Sequence, residues 1–263
     1  MRYFDSHAHY YDARFAEECE EGVDALLTRL FDTTVSGIVN VGTSPDTCRA
    51  AVRQAARYPH MYTALGIHPT DGQALSDPDA ALFEIGQMLR DPRSKCVAIG
   101  EIGLDYHYPD TDKEKQAYLF ERQLSLAAES DLPVVIHDRE AHGDVTEAIL
   151  RHPKTRGVLH SFSGSPEMAK ELVRAGYYIS FSGTLTFQNA RRTVESAAVV
   201  PPDRILIETD CPYLAPHPLR GTLNHSGNLA YTCARLAEIL GIEEEQAARL
   251  TEENARRFFS LKA

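Results

Sequence analysis

The sequence predicts an α/β protein built as a closed (β/α)8 TIM barrel, and three observations predict it. Short apolar runs alternate with helix-sized segments along the whole chain, the mark of βα units on a parallel sheet. Eight such runs fit within 263 residues, the usual length for eight units. In nearly every run the apolar residues come first and the polar ones last, on the side where barrel enzymes carry their chemistry. An open doubly wound sheet is the alternative, because periodicity does not report closure.

The runs justify themselves in order. "RYFDSHAHY" (2–10) alternates so that Asp5, His7 and His9 share one strand face and the flanking aromatics the other. "VSGIVNVG" (35–42) is apolar throughout, and "MYTALGIHP" (61–69) ends in His68. In "CVAIGEIGLDY" (96–106) Val97, Ile99 and Glu101 fall on one face; in "LPVVIHDR" (132–139) Val135 shares a face with His137, and Arg139 follows. "RGVLHSFSG" (156–164) pairs Val158 with His160, "GYYISFSG" (176–183) is the seventh run, and "RILIETDCPYL" (204–214) aligns Leu206 with Glu208 and Asp210. Between them, Ala117, Phe120, Leu124, Ala127 and Ala128 form an apolar stripe at helical spacing. "SPEMAKELVRAG" (165–176) reads as a helix with Ser165 as N-cap, Pro166 in the first turn and Gly176 at the close.

Composition narrows the class. With 43% hydrophobic and 25% charged residues and no low-complexity tract, residues 1–263 are expected to form one ordinary soluble domain. No apolar run approaches a membrane span and no basic-then-apolar leader opens the chain, so a cytoplasmic protein without a membrane partner is expected, as a monomer or weak oligomer. The five cysteines, at 19, 48, 96, 211 and 233, form no Cys-x-x-Cys pair and read as reduced structural thiols, Cys211 included. Lys and Arg number 27 against 38 Asp and Glu, for a formal charge of −11, so a phosphate-bearing substrate must be captured locally rather than by a global basic field.

Alone, each polar strand end reads as a hydrogen-bonded structural residue. Together, four histidines and two carboxylates at strand ends would be a costly way to build stability, since a buried unpaired polar group costs about 1–3 kcal/mol. A metal centre offsets that cost. Imidazole with carboxylate suits Zn²⁺, Mn²⁺, Co²⁺ or Fe²⁺, with Mg²⁺ favoured where carboxylate and water dominate, and six donors exceed the need of one tetrahedral ion. Two divalent ions are therefore expected.

The motifs "DSHAH" (5–9), "LGIHP" (65–69), "IGEIGLDY" (99–106), "LPVVIHDRE" (132–140), "LHSFSG" (159–164), "IETDCPYLAP" (207–216) and "TEENARRFF" (251–259) give the chain, over essentially its full length, a pattern that resembles the TatD-type metal-dependent deoxyribonucleases within the amidohydrolase-like barrels. By that resemblance His7, His9 and Asp210 hold one ion, His137 and His160 the other, and Glu101 bridges them. The resemblance further implies a hydrolase that uses a metal-activated water on DNA or another nucleotide-containing substrate, with Asp210 and Glu101 as its catalytic carboxylates. Glu208 is expected to orient a ligand, and His68 and Arg139 to contact the substrate phosphate or leaving group. The chain departs from the family pattern at "RGTLNHSGN" (220–228), where Thr222 and Leu223 replace a Lys-Arg pair. That weakens strong backbone binding and keeps open a carboxyl-ester or amide substrate, such as an aminoacyl-tRNA ester or a lactone; a non-catalytic metal-stabilised binding module is the third reading.

Overall fold

The computed structural model describes residues 1–261. Its elements run β1 (Tyr3–Ala8), α1 (Ala13–Glu18), α2 (Val23–Thr33), β2 (Val35–Gly42), α3 (Pro45–Ala55), β3 (Met61–Leu65), α4 (Pro69–Gln73), α5 (Pro78–Arg90), β4 (Cys96–Asp105), α6 (Lys113–Ser130) and β5 (Val134–Arg139). They continue as α7 (His142–Arg151), β6 (Gly157–Leu159), α8 (Pro166–Arg174), β7 (Tyr178–Phe181), α9 (Arg191–Ala197), β8 (Ile205–Ile207), α10 (Leu229–Leu240) and α11 (Glu244–Phe258). The strands are ordered β1 to β8 in one sheet. First and last strands meet just past their ends, where His9 N–H donates to the Cys211 carbonyl (2.7 Å) and Asp210 N–H to that of His7 (2.9 Å). This is the (β/α)8 barrel expected from the sequence. None of the described helices is long and apolar enough to cross a membrane.

Seven of the eight strands are shorter than the apolar runs suggest, and only β2 matches its run in full. The second run of the disagreement is at the chemistry-bearing ends: β1 stops at Ala8, β3 at Leu65, β6 at Leu159 and β8 at Ile207, leaving His9, His68, His160 and Asp210 on the segments that follow. The backbone shows why. Ser161 (φ 41°) and Asp210 (φ 56°) are left-handed, a conformation no strand continues through, and His68 already caps α4, which Pro69 opens. Helix α8 begins as expected, with Pro166 at its start and Ser165 Oγ accepting from Met168 N–H at 3.2 Å, but it ends at Arg174, two residues before the positive-φ Gly176.

The α6 stripe also differs. Phe120, Leu124 and Ala127 are buried, but Ala117 and Ala128 are exposed, and Gln116, Leu119 and Gln123 take their places. The two glutamines are buried because their amides replace missing backbone partners. Gln116 accepts from Asp105 N–H (2.9 Å) and donates to the Asp105 carbonyl (3.0 Å), while Gln123 does the same for Ile67 (2.7 and 3.1 Å). One helix thus holds the end of β4 and the segment leading to His68.

The chain divides into two compact units. One comprises Met1–Asn40, His160–Val173 and Tyr178–Ala263; the other comprises Val41–Leu159 and Arg174–Tyr177. In the first, α11 packs on β1 and β8: Phe259 stacks on Phe4 (6.2 Å), and buried Asn254 donates to the carbonyls of Pro202 and Ile205 (2.8 and 2.9 Å). In the second, a core of Cys48, Leu65, Ile67, Ala81, Leu82, Ile85 and Leu119 forms among β3, α3, α5 and α6. Gly103 on β4 has φ 140°, and any side chain there would collide with the carbonyl of His137 on the paired strand.

Gln123→Leu keeps the volume of the side chain but strips both backbone groups of Ile67 of their partners, so it is expected to cost about 2–4 kcal/mol. Urea unfolding should show a lower midpoint with an unchanged slope.

Candidate metal centre

Within the first unit, β1 carries Asp5 and His7, and His9 follows one residue past its end, yet they have two different jobs. Asp5 is fully buried and accepts four hydrogen bonds, from Thr209 N–H (3.0 Å), Thr209 Oγ1 (2.6 Å), Ser226 Oγ (2.7 Å) and His7 N–H (3.3 Å). Burial pushes its pKa up to about 6 against the pull of those donors. It ties β1 to the segment after β8. Nothing in the alternation distinguishes it from the histidines beyond it.

His7 Nε2 lies 3.0 Å from His9 Nε2, and Asp210 Oδ1 lies 3.6 and 3.3 Å from the same two nitrogens. The His9 ring is turned by the Tyr11 hydroxyl on its Nδ1 (3.1 Å), which leaves Nε2 toward Asp210. His160 stacks flat on His7, ring centroids 4.1 Å apart. Burial raises the pKa of Asp210, but the hydrogen bond to His9 and the charges of His160, His7 and His9 outweigh it and hold the carboxyl below its ordinary range. Glu208 stands behind His160: its Oε1 accepts from Ser161 N–H (2.5 Å) and lies 3.3 Å from His160 Nδ1, while Oε2 accepts from Ser180 Oγ (2.6 Å).

The second unit carries its own cluster. Glu101, buried on β4, has Oε1 2.8 Å from His137 Nδ1 and 3.5 Å from His68 Nε2. His68 faces it by that nitrogen because its Nδ1 is engaged with Thr70, accepting from the backbone N–H at 3.2 Å. Asp105 holds the far side of His137, with Oδ2 3.0 Å from Nε2. Burial raises the Asp105 pKa, but the bonds from His137 and the His107 N–H, with the charges of His137 and Arg139, bring it below its ordinary value. Arg139 lies exposed at the end of β5 with its guanidinium 5.7 Å over the Tyr108 ring. Strand parity places Asp105 with Glu101, since positions 101, 103 and 105 share a face, but does not mark it as a site residue. Tyr11, Ser161 and Ser180 carry no distinguishing signal in the sequence.

These donors fit a divalent ion. Nitrogens 3.0 Å apart, as in His7 and His9, can both sit about 2.0–2.1 Å from one Zn²⁺-sized ion, with a carboxylate oxygen completing the set. His7, His160 and Asp210 in the first unit, and His68, Asp105 and His137 in the second, each converge within 4.8 Å. Cys211, by contrast, is buried with its pKa pushed well up by desolvation, as a structural thiol should be.

A (β/α)8 barrel with imidazole–carboxylate clusters on its strands and just after them is the architecture of a metal-dependent hydrolase. The chain belongs to the family described as TatD related DNase, whose model matches residues 4–260. It is 37% identical over 262 residues to the "Uncharacterized metal-dependent hydrolase YabD" of Bacillus subtilis (strain 168), covering 98% of this chain and 99% of that one. It is 35% identical to the "Uncharacterized metal-dependent hydrolase TatD" of Mycobacterium tuberculosis (strain ATCC 25618 / H37Rv), with 98% and 97% covered. Among solved structures, YJJV, a TatD homolog from Escherichia coli K12, superposes with a TM-score of 0.91 at 32% identity over 99% of both chains.

Asp5 supplies a pH test. Its folded pKa of about 6 lies above the unfolded value, so the folded state binds the extra proton and this group's contribution to stability falls as pH rises from about 4 to 6, by about 3 kcal/mol at most. In chelated protein, Asp5→Asn removes that titration. The stability of the wild type relative to Asp5→Asn, measured by urea unfolding, should therefore be greater at pH 4 than at pH 7.

Proposed function

We propose that this chain is a phosphodiesterase that trims DNA from its ends. The observation that carries the reading is the pair of imidazole–carboxylate clusters on the strands and the segments just after them, in a chain of a family described by DNase activity. In this reading His7, His9 and Asp210 would hold one divalent ion and His137 and His160 a second, with Glu101 shared by the two. Residues 1–263 act as one catalytic domain, consistent with a single family model running from 4 to 260. Bound ions, whether Zn²⁺, Mn²⁺, Mg²⁺, Co²⁺ or Fe²⁺, would supply an acidified water and positive charge for the oxygens of the reacting phosphate.

The chain's own groups do the rest. Asp210, kept ionised by the imidazoles around it, accepts the proton of the attacking water. Glu208 holds His160 in place through its fixed contacts to Ser161 and Ser180. His68, oriented by Thr70, and Arg139, on the rim, contact the phosphate or leaving group. DNA binding is expected to depend on few charges besides the ions, such as Arg139 and Arg220, because the formal charge is −11 and Thr222 and Leu223 stand in place of a Lys-Arg pair. That sparse grip favours a terminal nucleotide over a long tract. It is also the observation that favours the second reading, hydrolysis of a carboxyl ester or amide such as an aminoacyl-tRNA ester or lactone, which needs no extended phosphate contacts. The protein works in the cytoplasm as a monomer or weak oligomer.

His7→Ala or His9→Ala should lower the number of divalent ions bound while circular dichroism shows a retained fold. Glu101→Gln should weaken both ions together, whereas His137→Ala should weaken mainly one; Mn²⁺ titration followed by electron paramagnetic resonance separates the two patterns. On labelled single-stranded DNA, metal-loaded protein should degrade linear strands and leave circles largely intact. The salt dependence of binding should be shallow, about two phosphates or fewer at roughly −0.7 in log–log slope for each. Equal cutting of circles and linear strands would sink the end-trimming reading, and cleavage of esters alone would put the second reading in its place.

A further inference from the structure

We propose that Asp105 is a positioning residue that fixes which nitrogen His137 offers to a metal ion, an inference that rests on His137 being a ligand as read above. The geometry is specific. Asp105 Oδ1 accepts from the His107 backbone N–H at 3.0 Å, and Oδ2 lies 3.0 Å from His137 Nε2. A carboxylate can only accept, so the imidazole nitrogen facing it carries the proton. Nδ1 lies 2.8 Å from Glu101 Oε1, so both ring nitrogens face carboxylates; Asp105 keeps the proton on Nε2 when Nδ1 gives its own up to bind an ion.

Asp105 is itself immobilised. It is buried at 2% exposure at the end of β4, and the side-chain amide of Gln116 bonds both its backbone N–H and its carbonyl. The order of restraint runs from α6 through Gln116 to Asp105, and from Asp105 to His137. His107 makes the device sensitive to a single atom. An asparagine at 105 has one carbonyl oxygen for two donors, His107 N–H and His137 Nε2–H. With the backbone N–H keeping the oxygen, the amide NH₂ faces His137 and demands a lone pair from Nε2. The proton then moves to Nδ1, the nitrogen needed for the metal, as an exchanged tautomer disables histidine in other sites.

The test uses the full chain loaded with Zn²⁺ and labelled with ¹⁵N-histidine, comparing wild type, Asp105→Asn and Gln116→Met. In the wild type the His137 imidazole should show a protonated Nε2 and a metal-shifted Nδ1. Competition titration should give Asp105→Asn about 10–100-fold weaker affinity at one ion and unchanged affinity at the other, with the Nε2 proton signal lost. Gln116→Met should show the same sign with a smaller change, and it carries the test if Asp105→Asn does not fold. Two normal affinities with a retained Nε2 proton in Asp105→Asn would overturn the inference alone. Three ions in the wild type and two in Asp105→Asn would also overturn it, making Asp105 a ligand. A wild type that binds no ion would overturn the metal reading itself, and this inference with it.

Discussion

Buried carboxylates in this protein are met by imidazoles, hydroxyls and backbone N–H groups, and the arrangement of the strand ends follows from that constraint. An ionised carboxyl removed from water must be compensated locally or protonated. Asp5 is compensated by Thr209, Ser226 and the His7 N–H, Glu208 by Ser180 and the Ser161 N–H, and Asp105 by His137 and the His107 N–H. Glu101 and the half-buried Asp210 face imidazoles: His137 and His68 in one case, His9 and His7 in the other. Imidazole can be neutral or charged near neutral pH, so it can satisfy a carboxylate by itself or yield its lone pair to a cation. Arg or Lys in those places would fill the site with fixed charge and leave no donor nitrogen for a metal.

The carboxylates therefore divide by consequence. Asp5, Glu208 and Asp105 restrain backbone and ring, so that the neighbouring histidines are held before any ligand arrives. Glu101 and Asp210 carry negative charge toward nitrogens. Preorganisation of this kind reduces what must be reordered when charge develops in a reaction. It also explains why β1 and β8 are pinned so closely at their ends, since Asp5 reaches from one to the segment after the other and the backbones of His7 and His9 bond to Asp210 and Cys211.

Much of this was legible in the chain. Eight apolar runs with their polar residues last gave the strand count, the barrel and the positions of His9, His68, Glu101, His137, His160 and Asp210. Strand ends were less legible because the backbone turns at Ser161 and Asp210 use left-handed conformations without glycine, the usual signal. The buried face of α6 is not legible from hydropathy, which treats glutamine as a surface residue, whereas Gln116 and Gln123 are buried by serving as backbone partners. Asp5 and His7 were indistinguishable by parity, since an alternating pattern reports the face of a strand and not what lies opposite it. Asp105 shared its parity with Glu101 and was recognisable in principle.

The most direct test of the central claim, that these strand ends form a metal centre, is the unfolding temperature of the chelated wild-type chain against free Zn²⁺ or Mn²⁺. A ligand that binds only the folded state stabilises it by about 2.7 kcal/mol at one hundred times its dissociation constant. The midpoint should therefore climb steadily with the logarithm of ion concentration, while elemental analysis shows divalent ions retained by the folded protein. A midpoint that stays fixed into the millimolar range, with no ion retained, would contradict it.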